Sequence, residues 1–234
     1  FGLRGRLDPA LHPGLAERLL EARRALAERL IDDGITNLVE TYDAGRFNSN
    51  ASVAENLLFG TPIGPAFEFD ALAENSYVLE VLNKVGLTDD LVDVGRRVAA
   101  TMVEIFADLP PGHEFFEQYS FISATDIPEF AAILGAVDGT PVDALAEDQR
   151  RKLLSLPFKL CAARHRLDVL DEAMQQRLLE ARRVFRESLP DEMRAEIAFF
   201  DADDYNGAAS LQDNVLFGKI ADGELISKSK DFDL

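Results

Sequence analysis

Apolar residues recur at helical spacing along most of this chain. In the first long stripe, from Leu15 to Leu30, a leucine or an alanine recurs every three or four residues, and most of the residues between them are charged. Pro13 suits the first turn of such a helix, and Gly34 suits its end. We therefore predict an amphipathic helix here, with one face toward a core.

Similar stripes predict helices through the rest of the chain. Thr88 is a plausible N-cap for the second long stripe, and Pro157 and Pro190 are expected to end two of the later helices. No segment alternates apolar and polar residues with β-branched enrichment, so no strand is predicted. The expected fold class is all-α, with an elongated multi-helix domain. Further helices are predicted over residues 78–85, 87–105, 126–134, 147–156, 168–189 and 191–199.

The chain contains an internal repeat. The sequence RLLEARR occupies residues 18–24 and again residues 177–183, and SVAENLLFG at 52–60 aligns with SLQDNVLFG at 210–218. Each unit is expected to be a long helix, an acidic and aromatic linker, and a short helix that ends at Phe-Gly. The repeat makes the ends of a single helical domain, 1–234, a pseudo-symmetric pair. The repeat units cover about 1–60 and 160–218, and they flank a unique helical middle at 65–157.

The charge and the cysteine content narrow the range of expected binding partners and cellular locations. The net charge is -18, from 42 acidic and 24 basic residues, so nucleic acid and anionic membrane surfaces would be repelled. Cys161 is the only cysteine and can form no internal disulfide, and no apolar run approaches the roughly 20 residues that span a bilayer. We predict a cytoplasmic protein without direct membrane insertion. Because the sequence begins with Phe1, we expect it to belong to a longer chain.

The two Phe-Gly segments resemble part of the ATP-binding domains of ABC transporters. In that family, a stretch of the form T/S-I/V-x-E/D-N-I/L-x-F/Y-G comes after the Q-loop and opens the helical subdomain. Tyr42-Asp43 and Phe200-Asp201 stand where the family carries a Q-D pair, and VLNKVGL at 81–87 resembles the run found after it.

The chain departs from that family at the residues that bind ATP. Tyr42 and Phe200 replace the glutamine of the Q-loop, and an aromatic ring cannot ligate Mg²⁺. The sequence has no G-x-x-x-x-G-K-[ST] loop, no LSGGQ-like signature and no Walker B motif, all of which position phosphates or metal. We therefore expect no catalytic, cofactor-binding or metal-binding residue in this chain. ATP and magnesium are implied only for the parent protein.

The resemblance implies a helical insertion between the Q-loop region and the signature motif of a nucleotide-binding domain. Such a region would be non-catalytic and would couple the nucleotide-binding core to a transmembrane domain, structurally or as a regulator, at the inner face of the membrane. By analogy with the family, some of the repeat residues would form the domain interface. These candidates are Tyr42, Asp43, Glu55, Asn56, Phe59, Phe200, Asp201, Asp213, Asn214 and Phe217.

Other interpretations stay open. Ser52 and Ser210 would serve equally as helix caps, with Asn56 and Asn214 as polar positions inside the capped helices. The chain could then be an independent helical scaffold or protein-interaction module that only echoes the ABC pattern. A third hypothesis is an enzyme with an unrecognised helical pocket. Separately, His113 with Glu114 and Glu117 resembles a metal-binding helix but lacks the second histidine of H-E-x-x-H. A cluster of aromatic residues would form either a ligand pocket or part of the core: Phe115, Phe116, Tyr119, Phe121 and Phe130.

Overall fold

A computed structural model describes residues 2–106, 109–110, 113 and 122–221. Within these ranges the chain is mostly helical, as the apolar stripes predict. The carboxylates predicted beside His113, and all members of the aromatic cluster except Phe130, lie outside the described residues. Phe130 is buried in the core.

The helices occur in the predicted order along the chain. The α-helices are α1 (Pro13–Asp32), α2 (Val53–Leu58), α3 (Ser76–Lys84), α4 (Thr88–Phe106), α5 (Ile127–Ala136), α6 (Glu147–Phe158), α7 (Ala162–His165), α8 (Glu172–Ser188) and α9 (Leu211–Leu216). Short 3-10 helices cover Thr36–Leu38, Pro65–Phe67, Phe69–Glu74, Val142–Ala144 and Asp191–Glu196.

Four three-residue strands make the all-α prediction too narrow. They are β1 (Val39–Thr41), β2 (Gly60–Pro62), β3 (Ile197–Phe199) and β4 (Gly218–Ile220). β1 pairs antiparallel with β4, and β2 pairs antiparallel with β3. The helix predicted over 191–199 is wrong at its end, because β3 occupies its last residues. Strands this short show no alternation in sequence, and each finds its partner in the distant half of the chain.

Three helix boundaries also differ from prediction. α6 runs through Pro157 instead of ending before it. The proline leaves the carbonyl of Leu153 without its helical donor, and Gly95 of α4 packs there so closely that a Cβ would lie 2.1 Å from that oxygen. Thr88 is the first residue of α4, and its hydroxyl donates to Asn83 Oδ1 at 2.7 Å. α8 begins after its N-cap Asp171, well past the predicted start at 168.

The main core joins the middle helices to one helix of each repeat unit. α4 packs against α5 and α6, and their buried apolar residues continue into α2, α3 and α8. Leu57 of α2 and Phe185 of α8 both belong to this cluster and are fully buried. A separate small cluster of Leu7, Ala16 and Leu211 lies where α1 packs on α9. Each core therefore contains the long helix of one repeat unit and the short helix of the other, α8 with α2 in the large core and α1 with α9 in the small one.

Candidate functional site

The first Phe-Gly segment, residues 52–60, folds into a capped helix and then a strand. Ser52 Oγ accepts the backbone N–H of Glu55 at 3.1 Å, and Glu55 Oε2 accepts the N–H of Ser52 at 2.8 Å, which forms a capping box. α2 ends at Phe59, whose φ of 45° is left-handed, and Gly60 then opens β2. Local capping chemistry thus explains both ends of this segment.

The second segment repeats these features. Ser210 Oγ accepts the backbone N–H of Asp213 at 3.1 Å, and the same hydroxyl donates to Asp213 Oδ2 at 2.7 Å. α9 ends at Phe217, with a φ of 43°, and Gly218 opens β4. Asp213 is one methylene shorter than Glu55, and it interacts with the hydroxyl of its cap residue.

The glycines of the two Phe-Gly pairs are required by strand pairing. A Cβ on Gly60 would lie 2.7 Å from the carbonyl oxygen of Ala198, and a Cβ on Gly218 would lie 2.5 Å from that of Glu40. Neither distance is possible without moving the paired backbone. The left-handed turn at each helix end falls on phenylalanine, so these glycines serve the strands rather than the helix cap.

Asn56 and Asn214 tie each short helix to the linker that precedes it. Asn56 Oδ1 accepts the N–H of Asn48 at 2.8 Å, and its Nδ2 donates back to the carbonyl of Asn48 at 2.8 Å. Asn214 makes the same two bonds with Asn206, at 2.9 and 2.8 Å. Both asparagines are 2% exposed, so these contacts hold the interior of the site together.

Arg182 of α8 binds the linker of the first unit. Its Nε donates to the carbonyl of Asn56 at 2.6 Å, and its Nη2 donates to Asn56 Oδ1 at 2.9 Å. Nη1 donates to the carbonyls of Asp43, Ala44 and Arg46 at 3.0 to 3.1 Å. The guanidinium also lies over the ring of Phe59, 4.6 Å from its centroid.

Arg23 of α1 does the same for the second unit. Its Nε donates to the carbonyl of Asn214 at 2.7 Å, and Nη1 donates to those of Asp201 and Ala202 at 3.1 and 2.6 Å. It lies 4.5 Å from the ring centroid of Phe217. The long helix of each unit therefore caps the linker and short helix of the other unit.

These two arginines were missed in the sequence. Each is the sixth residue of a copy of RLLEARR, so its place in the repeat was visible, but its burial was not. Burial lowers the pKa of Arg182 to about 10, while the charge of Asp43 raises it, and the side chain stays charged at neutral pH. Burial lowers the pKa of Arg23 in the same way.

The four aromatic candidates, Tyr42, Phe59, Phe200 and Phe217, contact one another where the two repeat units meet, and we call this contact the seam. Tyr42 and Phe200 stack with ring centroids 4.1 Å apart and an interplanar angle of 10°. Phe59 and Phe217 present their edges to this pair, with Tyr42 centroid distances of 6.2 and 5.7 Å. Tyr42 and Phe200, which occupy matching positions in the two repeat units, thus stack on each other.

Asp43 and Asp201 lie in the two linkers next to this seam. Each side chain accepts a backbone N–H two residues on, from Gly45 at 2.8 Å and from Asp203 at 2.9 Å. Their side chains are exposed, while their carbonyls accept from the buried arginines. The structure therefore brings all ten candidate residues around one seam, with the asparagines inside it and the aspartates at its surface.

A cleft of about 430 Å³ opens beside the stacked rings. Lys219 Nζ donates to Glu55 Oε1 at 2.6 Å across it. Burial raises the pKa of the Tyr42 phenol above its ordinary value, and the charges of Glu55 and Asp213 raise it further. The lining residues are Arg6, Tyr42, Glu55, Gly60, Thr61, Pro62, Glu68, Phe69, Asp70, Phe200, Asp213 and Lys219.

No protein-family model, curated protein or solved structure matches this chain. Among the described residues, no three side chains of His, Cys, Asp or Glu come close enough to hold a metal ion. No helix in the described part of the chain combines the length and apolar character that crossing a bilayer requires.

Proposed function

We propose that this chain is a non-catalytic helical region of an ABC-type ATP-binding protein. Its task is structural or regulatory coupling between the nucleotide-binding core and the transmembrane domain. The observation that carries the proposal is the pair of ABC-like segments. Both fold as a capped short helix that leads through Phe-Gly into a strand, and they lie side by side at one seam.

The aromatic residues at the Q-loop positions support coupling rather than catalysis. A glutamine there would offer an oxygen to a metal ion, whereas Tyr42 and Phe200 offer only ring faces and one phenol. Stacking joins the two units directly, and each buried arginine locks one unit to the other. A displacement of one segment would therefore be transmitted to its counterpart through contacts that resist deformation.

The remaining features of the proposal derive from the resemblance. The chain is an elongated domain with pseudo-repeated ends that flank the helical middle, and it acts in the cytoplasm at the inner face of the membrane. Its partners are the nucleotide-binding core and the membrane domain of the parent protein. ATP and magnesium bind to that core and not to this chain.

Titration calorimetry of MgATP into this chain tests the proposal. We expect no saturable heat, because the phosphate loop and metal ligands are missing from the sequence. Saturable one-to-one binding would overturn it and make the chain a nucleotide-binding protein. The gene gives a second test: a reading frame that continues into a Walker A loop on one side and an LSGGQ motif on the other supports the insertion.

An independent protein-interaction module is the second candidate. It is favoured by apolar side chains that the described structure leaves in solvent at both ends of α1, where Leu11 is 73% and Ile31 is 66% exposed. A reading frame without ABC motifs on either side would favour this function over the first.

A further inference from the structure

The seam cleft carries an excess of negative charge. Four carboxylates face two cations in its lining, in a chain whose net charge is already -18. One carboxylate, Asp70, pairs with Lys159 at 2.8 Å, outside the lining, and Glu55 pairs with Lys219. The charged lining residues are Glu55, Glu68, Asp70, Asp213, Arg6 and Lys219.

Glu55 and Asp213, which occupy matching positions in the two repeat units, are not balanced alike in charge. Glu55 receives Lys219, which stands on β4 directly after Gly218. The corresponding residue after Gly60 on β2 is Thr61, which also lines the cleft and has no charge. Asp213 has no ion-pair partner within the described part of the chain, and its polar partners there are Ser210 and its own helix backbone.

The chemistry around Asp213 suits a cation. Glu55, Asp213 and Tyr42 line the same cleft. Burial raises the pKa of the Tyr42 phenol, and the charges of Glu55 and Asp213 raise it further. Phe200 lines the same cleft, and Phe69 at its edge is 38% exposed. Ring faces of this kind accept the methylene groups of an amine and attract its charge.

We propose that the seam cleft binds an ammonium or guanidinium group, which pairs with Asp213 as Lys219 pairs with Glu55. The group arrives on a slender aliphatic stem that lies along the aromatic wall. This chemistry has two sources: a lysine or arginine side chain of a polypeptide partner, or a free aliphatic amine. The inference concerns the same seam as the proposed function but rests on charge and geometry alone.

The test uses butylammonium as the probe and the amide NMR spectrum of the full chain as the readout. We expect saturable shifts at Asp213 and at the seam residues Tyr42 and Thr61, and weaker binding when salt is raised. Butanol, which has the same stem and no charge, is the matched control and should leave these amides unmoved. Absence of saturable shifts, or equal shifts with butanol, would overturn the inference.

Two variants test whether Asp213 is the carboxylate that binds the probe. Asp213→Asn keeps an oxygen that can accept from the Ser210 hydroxyl but removes the charge, and it should weaken butylammonium binding by about fivefold. Thr61→Lys supplies the missing cation from within the chain and should block the probe, with the amide spectrum confirming the fold. Unchanged binding in a folded Asp213→Asn protein would also overturn the inference.

A short peptide with one central lysine distinguishes the two sources. Tighter binding of the peptide than of butylammonium assigns the cleft to a side chain of a partner polypeptide. Equal or weaker binding assigns it to a free amine. Because neither probe involves nucleotide, failure of these experiments leaves the proposed coupling function standing, and MgATP binding would leave this inference standing.

Discussion

Helices α1 and α8 share the sequence RLLEARR, yet the protein treats them differently. Along α8, Leu178, Ala181 and Phe185 are buried with at most 1% of their surface exposed. Along α1, only Ala16 and Arg23 are buried, and the leucines of the predicted core stripe are half-buried. The same local sequence therefore serves as a core helix in one unit and as a partly exposed helix in the other.

The difference comes from the aromatic residues that cover α8 and have no counterpart over α1. After β2, the chain lays Phe67 and Tyr77 over α8: the Phe67 and Phe185 rings lie 5.2 Å apart, and the Tyr77 hydroxyl donates to the carbonyl of Phe185 at 2.6 Å. The repeat places Leu26 of α1 where α8 has Phe185, and Leu26 receives no such cover among the described residues.

Each of the two helices carries an arginine whose guanidinium binds the linker of the other repeat unit. Arg23 and Arg182 donate to the same set of carbonyls in the two units, although one helix lies in the large core and the other does not. The arginine contact thus belongs to the repeat itself, while apolar burial depends on the surroundings. The two properties can be separated by mutation.

The largest expected effect is a loss of stability at the buried core position of α8, compared with the matching position of α1. Phe185→Ala should lower the free energy of unfolding by about 4 kcal/mol, because it opens a cavity at a fully buried site. Leu26→Ala at the matching position should cost only about 1 kcal/mol, since its surface is already partly in water. Urea unfolding of both variants measures the difference. Equal losses would mean that α1 is covered as fully as α8.

The next largest effect concerns the buried arginines. Arg182→Met leaves several carbonyls and Asn56 without their donor, and should cost about 3 kcal/mol in urea unfolding. Arg23→Met should cost less, about 2 kcal/mol, because water reaches the half-exposed α1 side more easily. Arg183→Met is the control. That side chain is exposed, pairs among the described residues with Glu180 and Glu187, and its replacement should leave the urea midpoint nearly unchanged.

A smaller effect tests whether the two repeat units are equivalent at the glycines that open their strands. Gly60→Ala and Gly218→Ala each force a methyl group against a paired strand, and each should cost about 2 kcal/mol in thermal or urea unfolding. Gly135→Ala in α5 is the control, because its methyl group meets open space and should stabilise the helix by up to about 1 kcal/mol. Strongly unequal losses at the two seam glycines would show that the strand pairs are not equivalent.

The smallest effect is a pH dependence at the stacked rings. The folded pKa of Tyr42 lies above its ordinary value of 10.0, because burial and then the charges of Glu55 and Asp213 disfavour the phenolate. Above that pH the unfolded chain loses the proton and the folded chain retains it. Stability is therefore fully present below pH 10.0 and falls as the pH rises.

Tyr42→Phe should remove that part of the fall, about 1 kcal/mol per pH unit above the ordinary pKa. Urea midpoints of both proteins at mildly and strongly alkaline pH give the measurement. Tyr77 and Tyr205, whose pKa values are also raised by burial, titrate in both proteins and cancel in the difference. Parallel pH profiles would show that the Tyr42 phenol ionises equally in the folded and unfolded states.

Helical spacing predicted most helices because each depends on contacts within a few turns. The predicted starts at Pro13 and Glu147 agree with the structure, and serines capped the two short helices at the predicted positions. Boundaries failed where tertiary packing decides them. Pro157 continues a helix, where Gly95 of α4 packs against the carbonyl of Leu153 that the proline leaves without its helical donor. β3 replaces the end of another helix, because β2 completes its backbone bonding.

The candidate site shows the same division. The repeat and the Phe-Gly segments were readable in sequence, because they consist of local capping chemistry and one strand-opening glycine. The exchange of Arg23 and Arg182 between units was not readable, since it joins residues more than a hundred positions apart. The cleft with its unbalanced Asp213 was equally hidden.

By itself, the sequence determined most of the helices, the serine caps of the two short ones, the repeated units and the strong negative charge, because these depend on neighbours in the chain. Tertiary structure alone decided which copy of RLLEARR would be buried, that the two units would exchange arginines, and that Tyr42 would stack on Phe200. The physical reason is that burial and long-range pairing depend on which distant elements pack against a residue, and the local periodicity of the sequence does not show this.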